Sequence, residues 1–355
     1  MAGVGGLGTV GTVAGVTAAR SIARRAPIED PYLGEDFGLF DSDRGCVLTT
    51  SDGVDLAVRE AGPADAPMTV VFVHGFCMSM GAFYFQRREL ARVWGDQVRM
   101  VFYDQRGHGR SAAARAHTYT VPRLALDLET VLAVMVPRGP VVLVGHSMGG
   151  MTVLSHARQF PDQYGSRIVG AAIISSAAEG LSRSPLGEIL QNPALEAARF
   201  AARYVPNLVQ RGRGATRSVL APILQAASFG DDNVSPTVAR YSERMIHETP
   251  LTTMVGFLHA LGVHNETDGL PALAKIPTLI ACGSADQLTT LEHSQDMAAV
   301  LPAADLLIVG DAGHLVQLEQ PEVVNTGLLR LVERATPKKL AAMTRRLRDR
   351  VRSRG

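Results

Sequence analysis

The ten residues Val141-Val142-Leu143-Val144-Gly145-His146-Ser147-Met148-Gly149-Gly150 constrain the fold more than any other stretch of this 355-residue chain. The opening run of branched apolar residues reads as a strand buried on both faces. A Gly-x-Ser-x-Gly sequence follows, then a helix-like run carrying Met151, Val153, Leu154 and Ala157. Strand, sharp turn and helix, in that order, form the context in which Gly-x-Ser-x-Gly carries chemistry. The glycines let the chain bend tightly around a residue held in a strained conformation. The turn lifts the Ser147 hydroxyl above the sheet, beside a helix N-terminus whose dipole favours negative charge.

A serine hydroxyl is a poor nucleophile at neutral pH. It needs a base, and the base needs an orienting carboxylate. In this topology the partners follow the serine in the order acid, then histidine. Two downstream segments supply them. Thr278-Leu279-Ile280-Ala281-Cys282-Gly283-Ser284-Ala285-Asp286 is a strand, a glycine turn and an aspartate. Leu306-Leu307-Ile308-Val309-Gly310-Asp311-Ala312-Gly313-His314 is a strand, a glycine turn and a histidine. Both polar residues follow a strand's carboxyl end, on the sheet edge that also carries Ser147. Crevices along that edge bind ligands in open α/β sheets. Asp311 reads as a turn-shaping residue rather than the acid.

The rest of the chain fits an α/β protein with a mainly parallel sheet. Val47–Thr50 and Val54–Glu60, joined by Ser51-Asp52-Gly53, predict a hairpin. Buried strands are predicted at Thr69–Val73, Arg99–Tyr103, Ile168–Ile174, Thr278–Ala281 and Leu306–Val309, and a helix at Arg123–Met135. The strand rhythm stops over 177–271. That stretch has helix-like patches at Ala194–Tyr204, Val238–Ile246 and Leu251–Leu261, punctuated by prolines. The expected organisation is therefore an N-terminal glycine-rich segment (1–30), a core (31–176), a helical insertion (177–271), a second part of the core (272–335) and a basic tail (336–355).

The chain resembles the alpha/beta-hydrolase fold family over roughly Val47 to Arg334, on motifs that occur in the family's order. His74-Gly75-Phe76 is similar to the oxyanion-loop motif. Asp104-Gln105-Arg106-Gly107-His108-Gly109-Arg110-Ser111 is similar to the D-x-R-G-x-G-x-S turn. Gly145-His146-Ser147-Met148-Gly149 resembles the nucleophile elbow, and Asp286 and His314 the other triad positions. The resemblance implies a mostly parallel eight-stranded sheet flanked by helices, with a helical cap inserted after the sixth strand. It implies Ser147 as nucleophile, His314 as base and acid, Asp286 as its orienter, and the Phe76 and Met148 amides as oxyanion donors. It further implies an esterase or lipase-like serine hydrolase that needs no metal or organic cofactor. C–C bond hydrolysis, perhydrolysis or acyl transfer on the same triad is the alternative, and a non-catalytic ligand-binding member a further one. Ser147 in place of an aspartate argues against epoxide hydrolysis and dehalogenation.

Other residues carry weaker signals. His146, Cys77, Met254 and Phe257 are candidates for lining the substrate pocket, and an apolar acyl group is the expected substrate portion. Asp104, Arg106 and Asp127 read as structural, and His74 as a local brace for its loop. The 35 basic and 34 acidic residues give +1 overall, so no general attraction to nucleic acid is expected. Three scattered cysteines form neither a disulfide framework nor a cysteine-based zinc site. Residues 1–19 hold no charge, and Arg20, Arg24 and Arg25 follow the apolar run rather than precede it. That order does not fit a cleavable signal peptide. Residues 336–355 hold eight basic residues against Asp349, a net +7, so the remainder carries −6. A cytoplasmic location is expected, with membrane-surface contact through 1–25 or 336–355 as an alternative to solvated ends.

Overall fold

The computed structural model describes residues 30–181, 224–225, 227–230 and 234–336. Both terminal expectations and the Ala194–Tyr204 patch lie outside these residues. The strands are β1 (Arg44–Thr49), β2 (Asp55–Ala61), β3 (Met68–Val73), β4 (Val98–Tyr103), β5 (Val141–His146), β6 (Ile168–Ile174), β7 (Thr278–Gly283) and β8 (Asp305–Val309). They form one eight-stranded sheet in the order β1-β2-β4-β3-β5-β6-β7-β8. β1–β2 and β2–β4 pair antiparallel, and every later pairing is parallel. This is the α/β architecture expected from the alternating runs.

Helices α1 (Tyr84–Trp94), α2 (Val121–Met135) and α3 (Met148–Gln159) fall between strands of the first part. α4 (Pro236–Glu248), α5 (Leu251–Gly262) and the short α6 (Leu270–Leu273) lie between β6 and β7, where the insertion was expected. α7 (Leu291–Val300) precedes β8, and α8 (Val316–Glu319) and α9 (Pro321–Ala335) follow it. Successive strand residues point to opposite faces, and both faces are covered. Val70 and Phe72 of β3 share one core with Phe85 of α1 and Leu328 and Leu331 of α9. Val71 and Val73 share the other with Leu128 and Leu132 of α2 and Leu154 of α3. Phe72 stacks on Phe102 of the neighbouring strand, ring centroids 4.5 Å apart.

β8 departs from the expectation of burial on both faces. Leu306 is 37% exposed and Ile308 44%. β8 ends the sheet and has only β7 as a neighbour, so one side of it lacks the cover a central strand receives. No helix among the described residues is long and apolar enough to cross a membrane.

Candidate active site

β5 ends at His146 and α3 begins at Met148, so Ser147 alone makes the turn. Its φ of 53° and ψ of −122° lie outside the regions a side-chain-bearing residue prefers. Such a conformation costs about 1–3 kcal/mol and persists only where its surroundings enforce it. Here they do. The Ser147 amide donates to the Ile174 carbonyl (2.9 Å), and the Ser147 carbonyl accepts from the Gly150 amide (2.8 Å) and the Ser176 hydroxyl (2.8 Å). The flanking glycines are required by contact rather than by φ. A Cβ at Gly149 would lie 1.9 Å from the Val73 carbonyl oxygen, and one at Gly145 2.5 Å from that of Gly149.

The loops after β7 and β8 bring the other two side chains to this turn. His314 Nε2 lies 2.8 Å from Ser147 Oγ, and His314 Nδ1 lies 2.9 Å from Asp286 Oδ2. Asp286 Oδ1 accepts from the amides of Leu288 (2.9 Å) and Thr289 (3.0 Å), and Oδ2 accepts from the Thr289 hydroxyl (3.0 Å). Burial pushes the Asp286 carboxyl up, but His314 and these donors outweigh it and hold the group below the ordinary aspartate value. Asp286 is thus an anion, acceptor at both oxygens. An anion there fixes the His314 proton on Nδ1 and leaves Nε2 free to accept from the Ser147 hydroxyl. Asp311 does not reach the imidazole. It sits in the loop at φ 59°, with its amide donating to Ser284 Oγ (2.9 Å).

Across from Ser147, the loop 74–80 is held by the turn after β4. His74 Nδ1 donates to the Gly75 carbonyl (2.8 Å), and its Nε2 accepts from the Gln105 amide (2.9 Å). His108 Nε2 accepts from the Cys77 amide (3.2 Å), which steadies Cys77 at φ 58°. Burial keeps both imidazoles uncharged: His74 lies well below the ordinary value, and His108 is pushed down to about 4. Asp104 reaches beyond its own turn and accepts from the amides of Met80 (2.7 Å) and Arg110 (2.8 Å). Burial pushes its carboxyl up to about 6. The amides of Phe76 and Met148 have no hydrogen-bond partner among the described residues. Two unpaired donors flanking a hydroxyl suit an anion that forms only during reaction.

Arg106 is fully buried and does not face the cavity. Its guanidinium binds both Asp127 oxygens (2.6 Å each) and both Asp52 oxygens (3.0 and 3.1 Å). It therefore ties the β1–β2 hairpin and α2 to the turn that braces the loop 74–80.

An apolar cavity opens over Ser147 and His314. Phe76, Cys77 and His146 line it, as do Met151 of α3, Ile246 of α4 and Leu261 of α5. Met254 and Phe257, candidates from the sequence, do not line it. Met254 is fully buried in the core, and Phe257 packs behind the loop against Tyr119, His108 and Phe76, at 4.9, 5.6 and 6.4 Å between ring centroids. Sequence reasoning missed Thr289, at both Asp286 and His314, and Glu319 of α8, which touches the His314 loop. No group of three His, Cys, Asp or Glu suited to a metal ion occurs among the described residues.

The sequence model of the alpha/beta hydrolase fold matches residues 69–321, well over half of the chain and inclusive of Ser147, Asp286 and His314. The chain belongs to the alpha/beta hydrolase fold family. It is 26% identical to 3-oxoadipate enol-lactonase 1 of Acinetobacter baylyi, over 78% of this chain and 92% of that one. It is 27% identical to the bifunctional esterase/perhydrolase DCH of Acinetobacter calcoaceticus, over 80% and 98%. Among solved structures, a thermophilic esterase from Thermogutta terrifontis superposes with a TM-score of 0.66 at 26% identity, covering 83% of this hydrolase and 100% of that chain.

Proposed function

We propose that this hydrolase cleaves carboxylic esters through an acyl-enzyme on Ser147. The observation that carries this reading is the relay Ser147–His314–Asp286, closed at 2.8 and 2.9 Å beneath an apolar cavity. His314 Nε2 takes the Ser147 proton as Oγ attacks the ester carbonyl carbon. The new oxyanion lies between the Phe76 and Met148 amides, each such donor being worth about 2.7–4 kcal/mol of barrier. The imidazolium, steadied by Asp286, then gives its proton to the leaving alcohol. Water repeats the sequence on the acyl-enzyme and releases the acid.

The cavity outlined by the described residues offers about 40 Å³ of interior space. That is roughly three water-sized positions, which favours a short acyl chain. A second nucleophile, hydrogen peroxide, could intercept the same acyl-enzyme. The similarity to an esterase/perhydrolase favours this as the second reading.

A fluorophosphonate probe and a graded series of p-nitrophenyl esters test the proposal. Ser147 should be labelled in the wild type and not in Ser147→Ala, with acetate or butyrate turned over faster than decanoate. A folded wild type that neither labels nor hydrolyses any ester of the series would end it. Competition between water and peroxide for the acyl group, read as peracid formed, separates the two nucleophiles.

A further inference from the structure

The backbone on either side of His314 is tied at three points, and two of the ties lead into the insertion between β6 and β7. The Gly313 amide donates to Glu319 Oε1 (2.8 Å), and the Gly230 amide of the insertion donates to Glu319 Oε2 (3.1 Å). The Leu315 amide donates to the Ser228 carbonyl (2.9 Å). The His314 carbonyl accepts from His146 Nε2 (2.9 Å). The two loops also meet without side chains between them. A Cβ at Gly313 would fall 2.3 Å from the Gly230 nitrogen, and one at Gly230 2.5 Å from the Gly313 nitrogen. One carboxylate therefore joins the residue preceding His314 to the cap.

Resting on the reading above, we propose that Glu319 is a positioning residue for the His314 base: it clamps the Gly313 and Gly230 amides together, so that the imidazole is held on Ser147 while this cap segment is docked. A carboxylate has an acceptor oxygen for each amide. A carboxylic acid places an O–H where one of those amides needs an acceptor. Burial pushes the Glu319 carboxyl up to about 7; the two amides oppose this, Asp286 adds to it and His314 opposes it. The groups facing Glu319 are Asp286 and His314 on the active-site side. On the other side, Tyr32, Asp311 and Glu322 line a second cavity of about 360 Å³ with it, and Asp30 binds Ser235 of the same wall. Those acidic neighbours also favour the neutral form. The clamp thus holds with both bonds above about pH 7 and loosens below it.

The test is Glu319→Gln, which offers one acceptor and one donor to two amide donors. Displacing a catalytic group by about an ångström costs on the order of 10- to 100-fold. We expect kcat for p-nitrophenyl acetate to fall by that factor with little change in KM. The acid limb of the wild-type pH profile should be steeper than one proton allows and should revert to one proton in Glu319→Gln. Wild-type kcat with an unchanged profile in the variant would overturn the proposal. Amide hydrogen exchange on the wild type decides the matter independently of folding of the variant, and of whether the protein is an esterase. The Gly230 and Gly313 amides should open with one common free energy and lose protection together as pH falls through 7. Independent protection of the two would overturn the clamp, whereas absence of fluorophosphonate labelling would count against the esterase reading alone.

Discussion

Asp286→Asn is the most informative perturbation because the structure dictates which way the new amide must face. Oδ1 accepts from two backbone amides, Leu288 and Thr289, which cannot be offered an NH₂ group. The Asn carbonyl oxygen therefore takes the Oδ1 position, and the NH₂ takes the Oδ2 position facing His314 Nδ1 at 2.9 Å. That donor at 2.9 Å favours Nδ1 as an acceptor over an Nδ1–H bond to the retained oxygen at 3.1 Å, so the imidazole proton moves to Nε2 and meets the Ser147 hydroxyl as a second donor. Restoring the reactive tautomer forfeits a hydrogen bond to a charged acceptor, about 1.5–3 kcal/mol, and leaves two buried donors opposed, about 1–3 kcal/mol more. Together these raise the barrier by roughly 3–6 kcal/mol, or about 10²- to 10⁴-fold in kcat. Asp286→Ala inserts no wrong donor and leaves the Thr289 hydroxyl 3.3 Å from Nδ1 as an acceptor, so it should lose less than Asp286→Asn. The assay is kcat on p-nitrophenyl acetate, with circular dichroism to show that each variant is folded. A loss under tenfold in Asp286→Asn, or a larger loss in Asp286→Ala, refutes the tautomer argument.

The remaining predictions concern the scaffold. Arg106→Met strands Asp127 as an unpaired buried carboxylate and should cost about 3–5 kcal/mol in urea unfolding at pH 7; the deficit should shrink in acid as that carboxyl neutralises, and a variant as stable as wild type at pH 7 would contradict the buried network. Gly149→Ala sets a methyl 1.9 Å from the Val73 carbonyl, which backbone on both sides prevents from moving; it should destabilise by more than about 2 kcal/mol, and a near-neutral effect would show that the elbow can shift. Asp104 has its folded-state value raised from 3.8 to about 6. Its contribution to stability is therefore fully present below pH 3.8 and is lost as pH rises through 6, about 3 kcal/mol across that window. Asp104→Asn should remove this slope from the stability-versus-pH curve between roughly pH 4 and 6, and an unchanged slope would place the titration elsewhere.

The parts legible in the sequence were those that local patterning dictates. Strand β5 with its glycine turn, the runs ending at Asp286 and His314, and the loss of strand rhythm after β6 are all short-range signals. The order of strands in the sheet is not a local property. Hence the apolar run Leu306–Val309 looked like any central strand, although β8 is an edge. Helix α5 is buried on most of its circumference, from Leu251 to Leu261, so its pattern has no clear phase. That is why Met254 and Phe257 were as plausible as pocket walls as Leu261, which does line the cavity. Arg106 with Asp52 and Asp127, and Glu319 with Gly230, join residues 21 to 89 positions apart. Only a Glu five residues after the histidine hinted at the last of these, and nothing in the composition singled it out.

The imidazoles of His74 and His108 each take a peptide hydrogen with a bare lone pair. A ring that gains a proton turns from recipient to rival for that hydrogen. Acid would therefore unseat the strand-to-helix loop bearing Phe76, and with it one of the two proposed holders of a developing negative oxygen.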